Sequence, residues 1–230
     1  MSVVALQGSL AHHSNNKPAA PVNTLWMIHI SDTGNATNYE QSSEGWIEHE
    51  DLANQSTPDL AIYVASNYAI KSGSTDTFTF TTNNSNSDPH GGIFAWNDCQ
   101  FSHEAGAAAD STPNITGLST TDDIVILVES CDSTSSTYTP PSGWTELYNH
   151  ATGSGAATKA GSVAYYKFAD STSENTRGTF SGSPGVLSYM FAITVDSGFS
   201  RATIAGPVVE EIAVTTGEST VNATIPASPS

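Results

Sequence analysis

Asp32-Thr33-Gly34 is the first group in the chain with the make-up of a catalytic site. An aspartate at the end of an apolar strand, paired with a second one, can share a proton and activate water. No second Asp-Thr-Gly is present, because the matching stretch further on reads Ser130-Cys131-Asp132. Acid-type hydrolysis would need Asp32 from two chains, and Asn35 stands where a small residue would suit it. The simpler expectation is a turn, since Asp, Thr and Gly all favour turns. Ser14-Asn15-Asn16-Lys17 has the spacing of a Ser-x-x-Lys nucleophile, but Pro18 and Pro21 place it in a loop rather than at a helix start.

Trp46-Ile47-Glu48-His49-Glu50-Asp51 gathers acids around a histidine, the composition of a cation site. The corresponding Thr145-Glu146-Leu147-Tyr148 lacks that set, so a solvated acidic strand end is expected instead. His12-His13 reads as an exposed pair. No Gly-Lys-Ser/Thr loop, Gly-x-Ser-x-Gly elbow or His-Glu-x-x-His occurs. The expectation is therefore no catalytic residue, no cofactor and no metal. Cys99 and Cys131 sit at non-equivalent places, which favours two free thiols over one bridge. Sequons at Asn35, Asn54, Asn83, Asn114 and Asn222 carry little information in a chain this rich in Asn, Ser and Thr.

The elements that must position these residues come in two similar sets. Trp26-Met27-Ile28-His29-Ile30 leads to Gly45-Trp46, and Ile124-Val125-Ile126-Leu127-Val128 leads to Gly143-Trp144. Trp46 and Trp144 lie 98 positions apart, as do Trp26 and Ile124. The run from Leu60 then matches that from Ala160 at an offset of 100, and Phe94-Ala95-Trp96 matches Phe191-Ala192-Ile193 at 97. A fixed order of matches with small drift predicts one β-unit used twice. Ser219 to Thr224 also resembles Ser111 to Thr116, the lead-in to the second set. The tail thus either begins a third copy or adds a strand on the protein itself or on a neighbour.

Composition sets the limits. Six basic residues against 23 acidic ones give a net charge of -17, which disfavours nucleic acid and anionic membranes as partners. Ser and Thr make up 60 of the 230 residues, as suits strands and turns. The start carries no basic, apolar leader, and no apolar run approaches membrane-spanning length. Strand signals dominate: Leu25 to Ile30, Ile62 to Tyr68, Thr75 to Thr81 with Phe78 and Phe80 on one face, Ile93 to Trp96, and their counterparts. One helical turn is expected around Ala107-Ala108-Ala109.

The fold class expected is all-β, with two tandem antiparallel sandwiches of immunoglobulin-like or jelly-roll type. The first spans 1–108, the second 109–206, and 207–230 is an extension or a truncated third repeat. Pairing the two sets in register puts Trp26, Ile28 and Ile30 in the core with Ile124, Ile126 and Val128. His29 falls on the other face, partly covered. Trp46 and Trp144 follow glycines that can turn the chain and should plug core ends, joined by Phe80 and Phe180. A sugar-stacking platform is the rival reading for the tryptophans.

The order of apolar strand, Ser/Thr loop, Pro-x-Gly-Trp, aromatic strand and Thr-Phe strand resembles modules in virion proteins of tailed bacteriophages. It is carried best by Asp123 to Asp196, with Pro140-Pro141-Ser142-Gly143-Trp144 and Val163-Ala164-Tyr165-Tyr166-Lys167. Residues 24–98 match more weakly, with Glu44 before Gly45 and no proline. The resemblance implies a β-sandwich on the outside of a particle, as in decoration proteins, head fibres and tail fibres. The expected function is a non-enzymatic virion surface protein, either capsid decoration (cement) protein or head fibre, assembled in the host cytoplasm. Its expected partners are the major capsid protein or another virion protein and further copies of itself. A glycan-binding or adhesin module is the alternative.

Overall fold

The computed structural model describes residues 24–33, 39–41, 46–55, 59–67, 76–82, 90–97, 99–132, 137–150, 161–182, 185–195, 208–213 and 220–225. His12-His13, Ser14 to Lys17, Gly34 and Gly45 lie outside them. Every described element is a strand, and every pairing is antiparallel. In chain order they are β1 (Thr24–Thr33), β2 (Tyr39–Gln41), β3 (Trp46–Gln55), β4 (Asp59–Asn67), β5 (Asp76–Thr82) and β6 (His90–Asn97). Next come β7 (Cys99–Ala109), β8 (Ile115–Thr116), β9 (Asp123–Cys131), β10 (Tyr138–Thr139), β11 (Thr145–Asn149) and β12 (Gly161–Phe168). The last are β13 (Ser173–Glu174), β14 (Thr179–Phe180), β15 (Val186–Val195), β16 (Val208–Ala213) and β17 (Thr220–Ile225).

Two five-stranded sheets carry the structure, in the orders β16-β6-β1-β4-β3 and β11-β12-β9-β15-β7. The central strands are apolar on both faces, so each sheet must be covered twice. One face of each sheet packs on the other sheet. A single core cluster joins Leu25, Met27, Ile62 and Phe94 from the first to Ile124, Ile126, Val128 and Phe191 from the second. The second sheet's outer face is covered separately. Val125, Leu127 and Met190 pack under Ile115 and Leu118, and Val163 and Tyr165 pack under Tyr138 and Phe180. This core draws on both segments 1–108 and 109–206, with β7 of the first segment in the second sheet and β16 of the tail in the first. A lone sheet of this kind would expose an apolar face, which packing against the other removes from water.

The sheets have the same plan. β1 and β9 are central, flanked by β4 and β12 on one side and by β6 and β15 on the other. The edge strands are crossed. β7 follows β6 in sequence but pairs with β15, while β16 follows β15 but pairs with β6. The tail also pairs back with the first segment through β17 on β5, whereas its look-alike β8 pairs within the second, on β13. The described part of 207–230 adds β16 to β6 and β17 to β5. β7 also replaces the expected helical turn at Ala107 to Ala109. Local helix preference there yields to the ladder with β15.

The phase of β1 differs from the expectation. Ser31 meets Ser130 across the core, a separation of 99 positions rather than 98. Alternation along the strand then turns Leu25, Met27, His29 and Ser31 toward the second sheet and Trp26, Ile28 and Ile30 away from it. A run apolar on both faces offers no alternation to fix its phase, and a one-residue slip exchanges the faces. Both sets are buried all the same.

Candidate functional site

The chemistry-bearing side chains collect where the two sheets meet. His29 and Ser31 enter from β1, Ser130 from β9, Ser162 from β12 and Tyr148 from β11, and all five are buried. The Ser31 hydroxyl donates to Ser162 Oγ at 3.0 Å, which commits its one proton. His29 Nε2, 3.1 Å away, must therefore carry the N–H and donate to Ser31. His29 Nδ1 is then an acceptor, and the Tyr148 hydroxyl donates to it. Ser162 donates to Tyr148 Oη at 3.1 Å, closing a one-directional ring. Ser130 donates into the ring at Ser31, 2.5 Å away. Every member is satisfied with a neutral imidazole. Burial enforces that state by pulling the His29 pKa down to about 3.

A serine beside a histidine has the makings of a nucleophile and base. The bonding here runs the wrong way for that: His29 donates to Ser31, so it has no lone pair free to take the serine's proton. Both groups are also sealed from solvent. The ring acts as a polar clasp, tying β1 to three strands of the facing sheet through bonds that must be made or cost the whole desolvation of each group. Gly92 makes room for it, since a Cβ there would stand 2.5 Å from the Tyr148 ring.

A second polar knot lies on the outer face of the second sheet. Glu129 on β9 is buried, and its carboxylate accepts hydrogen bonds from the Tyr138 hydroxyl, Ser188 Oγ at 2.7 Å and the Gly178 amide at 2.9 Å. Burial raises its pKa against these bonds and the nearby Arg177 guanidinium. Burial and the Glu129 charge in turn raise that of Tyr138, which stays a neutral donor. Glu129 thereby fastens the small sheet of β10 and β14 over the large one. Gly178 lets Tyr138 lie close, as a Cβ there would stand 2.1 Å from its ring.

The residues singled out in the sequence are spread apart. β1 continues as strand through Asp32 and Thr33, paired with Ala61 and Leu60, where a turn was expected. Asp132 is exposed on the other half. His49 Nε2 is 2.7 Å from Ser66 Oγ, and its ring stacks on Phe101 with centroids 3.8 Å apart. It thereby braces β3, and among the described residues no group of three or more His, Cys, Asp or Glu is placed to hold a metal; the Asp51 side chain lies outside them. Cys99 and Cys131 are buried thiols, not joined in a disulfide. Trp26, Ile28, Ile30, Trp46, Ile124, Ile126, Val128 and Phe180 are buried. Trp144 is half-buried against two satellite clusters. Of Phe80 only the backbone is described, paired with Gln41 and Val221.

As a sugar platform, Trp46 is closed off at 8% exposure. The aromatic surface lies elsewhere. Phe168 at the end of β12 is 44% exposed and packs edge-on against Tyr166, which packs edge-on against buried Trp96. Beside it Lys167 bonds Asp170 at 2.9 Å and Glu174 at 2.7 Å and lies over the Trp144 ring. The polar clasp and the Glu129 knot were the residues missed from sequence. Their signal was present: a His or Glu-Ser set inside a strand apolar on both faces has to be buried and partnered.

No protein family, curated protein or solved structure matches the chain.

Proposed function

We propose that this protein is a non-enzymatic structural component of a virion surface, a capsid decoration (cement) protein or head fibre, assembled in the host cytoplasm. The observation that carries this reading is how the polar residues are used. His29, Ser31, Ser130, Ser162 and Tyr148, which could have built a reactive centre, are consumed in holding two sheets together. An all-β body with its reactive groups spent on cohesion suits a role in which binding energy and durability are the work. The charge of -17 suits a particle exterior, where like-charged copies stay soluble. We further read the two sheets as an internal duplication of a sandwich-type unit, immunoglobulin-like or jelly-roll. The partner in this reading is the major capsid protein or another virion protein, with copies of the chain arrayed on it. Peptide counting on purified virions tests it: many copies per particle are expected, and absence from the particle overturns it.

The exposed Phe168 and its aromatic ladder favour a second reading, a glycan-binding or adhesin module, because aromatic faces stack on sugar rings. Glycan-array binding lost in Phe168→Ala, with folding unchanged, would establish it over the first. Trp46 and Tyr165 are too buried to serve as that test.

A further inference from the structure

We propose that the strands after β15 form an exchangeable arm through which one copy of this chain binds another. β16 pairs with β6 over six positions, Val208 to Ala213 against His90 to Ala95. β17 pairs with β5 over six more, Thr220 to Ile225 against Asp76 to Thr81. All of these partners belong to the first half of the chain, whereas the arm is joined covalently to the second. Both strands are also outermost in their sheets. Lifting them out breaks no other strand pairing among the described residues and uncovers two long, ready-made edges on β6 and β5. An open edge of that kind accepts any strand of the right pattern.

The chain already makes this exchange within itself. β7 leaves the first half to complete the second half's sheet. The β16–β17 arm follows β15 through residues 196–207. The β6 and β5 edges present the same backbone groups to an arm from their own chain and to one from a second copy. Only effective concentration separates the two, and a short tether supplies about mM. Exchange therefore sets in when copies are crowded to that level or fold together, and two chains that trade arms leave every edge filled. The inference stands apart from the virion reading, since it needs only a second copy.

Paired cysteines test it. Thr79 faces Asn222, and Phe78 faces Ala223. One of two adjacent antiparallel pairs is of the close, non-hydrogen-bonded kind that suits a disulfide. The full chain is made as the double variant of each pair, and the pair that cross-links within one chain is chosen. Its two single variants are then unfolded, refolded together at rising concentration and oxidised, and the linked peptides are identified by mass spectrometry. The expected result is an interchain peptide joining the β5 cysteine of one chain to the β17 cysteine of the other, rising at least severalfold with concentration. A control pairing the Thr79→Cys chain with Ser171→Cys, on an exposed turn, gives the level of random collision. A mixture that stays at that level at every concentration, while the double variant cross-links internally, overturns the proposal.

Discussion

Ser31 Oγ of the first sheet and Ser130 Oγ of the second lie 2.5 Å apart at the centre of the shared core. The two do not contribute equally to the clasp. Ser31 accepts from His29 and Ser130 and donates to Ser162, so it has three partners, whereas Ser130 stands outside the ring and donates to Ser31. Ser31→Ala strands the His29 N–H and should cost about 2–3 kcal/mol, and Ser130→Ala about 1 kcal/mol. The double variant should cost clearly less than the two losses added, since both remove the same bond. Urea unfolding of the four proteins measures this, and strict additivity would sink the shared-bond account.

The same clasp predicts an acid limit. Burial holds the His29 imidazole down to about 3, against about 6.5 in the unfolded chain. Between these values the unfolded chain binds a proton that the folded chain refuses. This stability is full above about pH 6.5 and falls with decreasing pH by up to about 1.4 kcal/mol per unit, levelling near the folded value. Glu129 acts in the opposite sense: burial raises its carboxyl, so it favours the fold at low pH and loses that as pH climbs through its folded value. His29→Leu removes the first effect and keeps the second. Its urea midpoint, though lower at neutral pH, should fall less than that of the wild type between pH 6.5 and 4. Parallel curves would show that His29 is not the responsible group.

The strands were largely legible because their signals are local. Phe78-Thr79-Phe80-Thr81 alternates, and Ile124 to Val128 is too apolar for anything but a central strand. Their assembly was not legible, because nothing in a strand's own sequence says which edge it will join. β7 and β16 cross between halves, and only the ladder partners reveal it. The phase of β1 was lost for a related reason. With Trp26, Met27, Ile28 and Ile30 all apolar, His29 looked like the outlier of an outer face, when it was the key of the inner one. Its ring partner Tyr148 lies 119 positions away, beyond any local pattern.

Two glycines separate crowding from backbone strain. At Gly92 a Cβ would press on the Tyr148 ring at 2.5 Å, whereas at Gly143 it would meet nothing within 4 Å, but φ is +85°. Gly92→Ala should cost about 1–3 kcal/mol through overpacking. Gly143→Ala should cost about 1–2 kcal/mol through the left-handed backbone alone. Asn tolerates that backbone region, so Gly143→Asn should recover much of the loss, while Gly92→Asn should be worse than Gly92→Ala. Thermal unfolding of the four variants decides it, and equal behaviour of Asn at both sites would contradict the distinction.

Glu129 offers the sharpest local test. Its carboxylate receives three donors, and Glu129→Gln keeps the shape while turning part of that acceptor into an N–H₂ group facing donors. The loss should be about 2–3 kcal/mol, as for hydrogen bonds to a charged group. It should fall unevenly, because Glu129 fastens the β10–β14 layer and the shared core lies on the sheet's other face. Hydrogen exchange reads this directly. The Ser181 amide, bonded to the Thr137 carbonyl at 2.9 Å, should exchange much faster in the variant. The amide of Ile126, central in β9, should change only by the smaller global amount. Acceleration of both by the same factor would mean that Glu129 supports the whole sandwich and not that layer.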